Sequence, residues 1–515
     1  MRHRSREGFF YVACALLAFA WAWTISSDTL AVRLNWDSAN YVGLYASGAA
    51  NWSTLPWNSH FALGPIYWIG HALVAPFGGS VLDGVRVMNA LALAVAATGF
   101  LFVARTLCDK AWLAAGFTAL YVLSWGIGIL VQTFEDNVLY LPWVVWSLAW
   151  SLSRIGQWRP RDSVVCGALV AGGSLVSWQA GLYLFAPMLI ASFFGGTGRT
   201  VSRRVGDTSL CGAAFVVSVC AWVLFHAVTS EGLTARQLFS VVLSRPEPSF
   251  FPKDWNEVVR LVGSPRRIAR HLGTGIMYEA GPIALESHAV RSFLPQLGLI
   301  WFLLVAGSAA AASFWARIHD GASLRRIRVA TVLIVLLALT LVTAVYVDLP
   351  SDKYKRYEYV PLLLSVLGAA VVGSGLGFLA RPFWRRATAV FLTLAVVSQI
   401  ALVLGHARRY RTEIESRQPP GYHGRDGVPW YVYFRRLRSE TPDRCVYLFT
   451  QDELSHGRYQ LEIAAGLWDA LPDHRVIGEP GAGEDWRVKV NRLGIAEARG
   501  LRSCMWRSPG VEKIW

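Results

Sequence analysis

A series of apolar runs of about 18 to 23 residues constrains this chain more than any other feature, because that is the length an α-helix needs to cross the hydrocarbon core of a bilayer. Short clusters of Lys and Arg separate the runs. In hydrocarbon every backbone N–H and C=O must be satisfied within the segment, so runs of this kind fold as helices. Spans are expected at Phe9 to Ile25, Val85 to Ala104, Ala111 to Val131, Val138 to Leu152, Leu210 to Val228, Leu294 to Ala316, Val329 to Val347, Tyr359 to Leu379 and Ala387 to Leu404. The segment Val164 to Phe194 is long for one span and short for two. With 54% apolar residues, only 16% charged and a mean hydropathy of +0.37, the composition excludes a disordered, collagen-like or disulfide-scaffold chain and disfavours a soluble globular enzyme.

The formal charge of +15 does not read as a nucleic-acid surface, since the cations sit between apolar runs rather than on a soluble face with base-stacking aromatics. They give the topology instead, because short loops rich in Lys and Arg stay in the cytoplasm. The amino end (Arg2, Arg4, Arg6), Arg105/Lys110, Arg154/Arg159/Arg161, Arg199/Arg203/Arg204, Arg317/Arg325/Arg326/Arg328 and Arg381/Arg385/Arg386 recur at alternate span ends. Between Ser27 and Asp83 the only such residue is Arg33, which puts that stretch outside. Basic clusters on both sides of Val164 to Phe194 require it to cross twice or to re-enter, turning near Ser177-Trp178-Gln179-Ala180. The expected fold is therefore a mainly α, polytopic membrane bundle of about eleven spans over residues 1–405. Its amino terminus is inside, the first span is retained, and residues 406–515 form an extracytoplasmic soluble domain.

Three features gather on the expected outer side. Asn35-Trp36-Asp37-Ser38 follows the first span, and an aromatic stretch runs on to Gly64-Pro65-Ile66-Tyr67-Trp68, suited to helices at the headgroup level. Glu135 and Asp136 are wedged between two apolar runs. Asp352-Lys353-Tyr354-Lys355-Arg356-Tyr357-Glu358 places three cations outside, against the rule obeyed elsewhere. Carboxylates at a membrane boundary are costly unless hydrated or paired, which favours a functional reading. Structural alternatives stay open at each: Asp37 as the N-cap of a helix starting at Ser38, Glu135 and Asp136 as a turn, and the cations snorkelling to headgroups.

These parts suit transfer of a sugar from a lipid phosphate. Phosphate is already a good leaving group, so no carboxylic acid is needed to protonate it, unlike hydrolysis of a bond between sugars. One carboxylate must take the acceptor's proton, and cations or a metal must stabilise the departing phosphate. Asp37 with Lys353, Lys355 or Arg356 is a minimal set, and direct displacement inverts the anomeric centre. The chemistry demands no cofactor and admits a divalent metal.

The order of these motifs resembles the GT-C superfamily of integral-membrane glycosyltransferases, which includes protein O-mannosyltransferases and the aminoarabinose transferases of lipid A. The resemblance rests on the acidic first loop, Gly64-Pro65-Ile66-Tyr67-Trp68, the Arg-led span Val85-Arg86-Val87-Met88-Asn89-Ala90, the second acid at Glu135/Asp136 and the late Arg356-Tyr357 to Pro361, and covers roughly residues 1–405. It implies a polyprenyl-phosphate sugar donor and a glycan, lipid or protein acceptor, with membrane lipids around the bundle. It also implies Asp37 as the catalytic carboxylate, Glu135 or Asp136 as organiser of acceptor or metal, and Arg356 at the donor phosphate with Lys353, Lys355 and Tyr357 beside it. The chain departs from the pattern in having a single first-loop acid, and in His60, a weaker phosphate candidate, standing apart from Pro65.

The loop from Thr229 to Arg291 is either a lid or a structural cover. In the tail, which holds 18 Lys+Arg and 15 Asp+Glu, Arg408-Arg409-Tyr410-Arg411 suits a helix, Cys445 to Phe449 a strand and Glu462 to Leu471 a helix, the parts of a small α/β domain. An extracytoplasmic location permits a disulfide between Cys445 and Cys504. Cys14, Cys166, Cys211 and Cys220 fall in spans, and Cys108 in a cytoplasmic loop. Gly373-Ser374-Gly375-Leu376-Gly377 sits in an apolar span, without the strand that a dinucleotide site needs, and reads as close helix packing. Two other readings compete with an enzyme: a lipid or glycan transporter, which calls for ionisable groups deep in spans and repeated halves, and a non-catalytic scaffold of the same fold.

Overall fold

The computed structural model describes residues 2–26, 62–79, 81–108, 110–131, 138–176, 200–229, 360–374 and 381–415, short strands between 446 and 513, and isolated positions between 266 and 333. The described chain is mainly helical, with α1 (Arg2–Ser26), α2 (Leu63–Val74), α3 (Val81–Leu107), α4 (Ala111–Val122) and α5 (Trp125–Val131). They are followed by α6 (Leu141–Arg154), α7 (Pro160–Val176), α8 (Val201–Thr229), α9 (Val360–Ser374) and α10 (Pro382–Glu415). Among the described residues four stretches are long and apolar enough to cross a membrane: Gly8–Ser26, Asp83–Leu107, Val201–Phe225 and Pro382–Gly405.

Helix α3 is the hub. Some 61% of its apolar span is buried, against 17% or less for the spans in α1, α8 and α10, whose large side chains (Leu16, Val217, Phe391) face outward as a lipid-exposed surface would. The α3 surface is built to be approached closely, with Ala90, Ala96, Ala97 and Ala104 buried and helices α1, α2, α4, α6 and α9 packed around it. Small residues let backbones come near, the usual packing device where lipid removes the hydrophobic drive between helices. Gly70 of α2 meets Gly84 of α3 so closely that a Cβ on Gly70 would lie 2.6 Å from the Gly84 carbonyl oxygen. The turn joining these two helices ends at Gly78, whose φ of +74° suits a residue without Cβ. Trp146 of α6 lies against Gly99 and donates its Nε1–H to the Val95 carbonyl at 3.0 Å, and Phe100 stacks on Tyr121 at 4.6 Å.

One end of the bundle collects the basic clusters. Arg154 pairs with the buried Asp162 at 3.5 Å and lies over the Trp150 ring. The Asp162 carboxylate accepts the Arg159 N–H at 2.8 Å, closing the entry to α7 as a capping residue does. Arg328 reaches the same place, donating to the Ser153 carbonyl at 3.5 Å, so two clusters expected on one side do meet. Several of these cations extend the helices rather than sitting in loops. Arg105 lies in α3, Arg154 in the last turn of α6, Arg203 and Arg204 at the start of α8, and Arg385 and Arg386 at the start of α10.

Other boundaries also differ from the sequence reading. The run Ala111 to Val131, expected as one span, is two helices broken at Leu123 and Ser124. Helix α10 continues ten residues past its apolar part, from Gly405 to Glu415, through the arginine-rich stretch. Cys108 lies in the connection just past the end of α3, as expected, and is buried there, with its Sγ 3.4 Å from the Ala369 carbonyl of α9. Helix α7 ends at Val176, just before the expected turn, and Gly167 of α7 packs on Cys211 and Ala214 of α8. The second half of the segment Val164 to Phe194, on which a double crossing depends, lies outside the described residues.

In the tail, β1 (Val446–Phe449), β2 (Arg475–Gly478), β3 (Met505–Arg507) and β4 (Glu512–Lys513) form one sheet in the order β2-β1-β3-β4. β1 pairs in parallel with β2 and β3, and β3 pairs antiparallel with β4. Parallel neighbours need long crossovers, which leaves room for the helix expected at Glu462 to Leu471, itself outside the described residues.

Candidate functional site

Asp37, His60, Glu135, Asp136, Lys353, Lys355, Arg356 and Tyr357 all lie outside the described residues, as do Cys445, Cys504 and most of the loop after Thr229. What is described is the set of helix ends from which those segments spring. They converge at the end of the bundle opposite the basic clusters. Ser26 closes α1, eleven residues before Asp37; Val131 closes α5, four before Glu135; Ala62 leads into α2, two after His60; and Val360 opens α9, four after Arg356.

Arg86 ties the first of these ends. It sits in the first turns of α3, with its side chain 13% exposed and its Nη1 3.0 Å from Asp83 Oδ1. The guanidinium lies 4.0 Å from the centroid of the Trp23 ring and its Nη2 donates to the Trp23 carbonyl at 3.4 Å. The last carbonyls of a helix have no intrahelical donor, so this contact supplies one while the planar cation covers the indole face. The α1 terminus is thereby fastened, and Ser26 beyond it is fully buried.

Asn89 ties the second. One turn further along α3 it is completely buried and donates its Nδ2 to the carbonyl of Val131, the last residue of α5, at 3.3 Å. Asn89 is eight residues into α3, so α5 ends about 12 Å below the α3 start. Val131, the last described residue before the Glu135/Asp136 segment, therefore lies buried inside the bundle end rather than at its rim. Ala62 donates its N–H to the Leu175 carbonyl at 2.8 Å, which brings the start of α2 to the end of α7. Tyr67, in the aromatic motif, is buried in α2, while the adjacent Trp68 is half-exposed.

Helix α9 packs on α4, α3 and α5, and Gly368 makes close contact with Phe117. It joins the same bundle, and its first residue is the nearest described point to Arg356. Chemically, the described part of this end holds three polar side chains in an apolar bundle: the partly exposed Asp83, the largely shielded Arg86 and the fully buried Asn89. Among the described residues no three His, Cys, Asp or Glu side chains come together as a metal would require. Sequence reading found Arg86 and Asn89 as parts of a motif but gave neither a task. Gln399, a lone amide in the apolar span of α10, went unremarked, although a polar side chain in hydrocarbon is itself a signal.

No family model and no curated protein matches the chain. Among solved structures it is similar to the crystal structure of ArnT from Cupriavidus metallidurans bound to undecaprenyl phosphate, at 14% identity and a TM-score of 0.42 over 95% of this chain and 88% of that one. The apo crystal structure of the same ArnT is similar at 13% identity and a TM-score of 0.42, over 98% of this chain and 94% of that one.

Proposed function

We propose that the protein is an inverting glycosyltransferase that moves a sugar from a polyprenyl-phosphate donor to a glycan, lipid or protein acceptor at the extracytoplasmic face of the membrane. The observation that carries this reading is the convergence of helix ends. The ends of α1 and α5 are tied to the first turns of α3, and the start of α2 to the end of α7, at the pole away from the Arg154, Asp162 and Arg328 cluster; the Asp37, Glu135/Asp136 and His60 segments adjoin these points in the chain. In this reading Asp37 takes the acceptor's proton as the nucleophile attacks the anomeric carbon, and the departing phosphate is held by Arg356 with Lys353, Lys355 and Tyr357. Glu135 or Asp136 orients the acceptor or holds a divalent metal.

The same reading sets about eleven spans, an inside amino terminus and residues 406–515 as an outward α/β domain. Among the described residues the broken span α4/α5 is a feature that favours a transporter, since discontinuous helices build transport sites. Here the break is closed by protein groups: Ser124 Oγ accepts the Ile127 N–H at 3.4 Å and Gln399 Oε1 accepts the Trp125 N–H at 2.7 Å. The test is transfer by purified wild type and Asp37→Asn with a labelled polyprenyl-phosphate sugar and cell-envelope acceptors, read by product mass. Loss of product in the variant at equal expression supports the assignment, and equal turnover by the two overturns it.

A further inference from the structure

Helix α5 has only seven residues, too few to hold together by its own hydrogen bonds. It lies between a break in an apolar span and the departure of the Glu135/Asp136 segment. Both of its ends are closed by amide side chains from other helices. At its start, the Trp125 N–H is one of the donors that a helix leaves without an intrahelical acceptor, and Gln399 Oε1, 274 residues away in α10, accepts it at 2.7 Å. At its end, the Val131 carbonyl is one of the orphan acceptors, and the buried Asn89 Nδ2 of α3 donates to it at 3.3 Å. Contact along the length is equally close. Gly128 faces Val403, one turn after Gln399, so tightly that a Cβ there would stand 2.7 Å from Val403 Cγ2.

An amide in the middle of an apolar span is expensive in hydrocarbon and is kept where it finds a partner. Gln399 finds one at the start of the half-helix that leads to the second acidic site. We propose that Gln399 and Asn89 form a two-point clamp on α5 and act as positioning residues for the Glu135/Asp136 segment. This deepens the transferase reading and rests on it. Neither amide touches the reacting atoms. Gln399 sets where the half-helix begins and Asn89 sets where it ends, so Val131 is held at one depth in the bundle.

The experiment uses the full-length protein in lipid nanodiscs and two readouts: hydrogen–deuterium exchange over residues 125–131 and steady-state transfer from a labelled polyprenyl-phosphate sugar. Gln399→Met keeps the side-chain volume and removes the acceptor; Gln399→Glu keeps an acceptor; Asn89→Leu removes the donor at the other end. The expected result is exchange at the Trp125 amide about tenfold faster in Gln399→Met, the scale of one lost hydrogen bond. With it, kcat falls while the donor KM is unchanged, both move back toward wild type in Gln399→Glu, and Asn89→Leu shows the same kcat and KM split. Wild-type exchange in Gln399→Met overturns the clamp, and faster exchange with unchanged kcat overturns the positioning role. A wild type inert toward every lipid-linked sugar overturns the transferase reading and the positioning role with it, while exchange still decides the clamp.

Discussion

Arg86 offers the sharpest test of how the α1 end is held. Replacing it with Leu removes three contacts. The guanidinium over Trp23, 4.0 Å from the ring centroid and largely shielded from solvent, is worth about 1–2 kcal/mol. The bond to the Trp23 carbonyl is long at 3.4 Å and adds about 0.5–1 kcal/mol. The pair with Asp83, whose side chain is 37% exposed, adds about 0.5–1 kcal/mol at most. Together these come to about 2–4 kcal/mol holding the α1 terminus in place. Arg86→Lys keeps a charge for Asp83 but not a flat group that can stack and donate at once, so it should lose about 1–2 kcal/mol.

The readout is the labelling rate of Ser26→Cys by a membrane-impermeant maleimide, because Ser26 is fully buried and becomes reachable only when the α1 end opens. A loss of about 2 kcal/mol corresponds to labelling about 30-fold faster in Arg86→Leu than in the parent, with Arg86→Lys in between. Equal rates in all three backgrounds would refute the fastening role, and labelling in Arg86→Lys as fast as in Arg86→Leu would show that charge alone is irrelevant there.

Further expectations concern packing, redox state and the donor. Gly84→Ala places a Cβ within 2.6–2.9 Å of His71 and Gly70 backbone atoms, so α2 and α3 must part, at a cost of about 1–3 kcal/mol seen as a lower thermal midpoint. Gly212→Ala in α8 meets nothing within 4 Å and should be neutral or stabilising by up to about 1 kcal/mol, which makes it the control. The pairing of Val446 with Met505 sets side by side the residues that directly follow Cys445 and Cys504, so a disulfide is expected. Intact mass after alkylation, with and without reductant, should show two thiols appearing only on reduction. Arg356→Ala should raise the donor KM more than it lowers kcat, and the reverse pattern would remove Arg356 from the phosphate.

The sites of the spans were legible because hydrophobic length is a local property. Phe9 to Ile25, Val85 to Ala104 and Ala387 to Leu404 each fall inside an observed helix. The alternation of basic ends was legible for the same reason, and Arg154 and Arg328 meet as it requires. The helix ends were less legible: charged residues at a span boundary lengthen a helix into the headgroup zone as readily as they end it, as α8 and α10 show. The break at Leu123 and Ser124 was invisible, since a uniformly apolar run carries no period and Ser124 alone does not interrupt one.

Of the candidate site, the sequence by itself determined which residue types are available and which apolar runs flank them, because transfer free energy and charge act residue by residue. Only the tertiary structure decided that Arg86 covers Trp23, that Asn89 meets Val131 and that Gln399 receives the Trp125 N–H. Those contacts join positions up to 274 residues apart. In a low-dielectric bundle the partner of a polar group is whichever donor or acceptor packing brings within about 3 Å, and no local pattern along the chain encodes that choice.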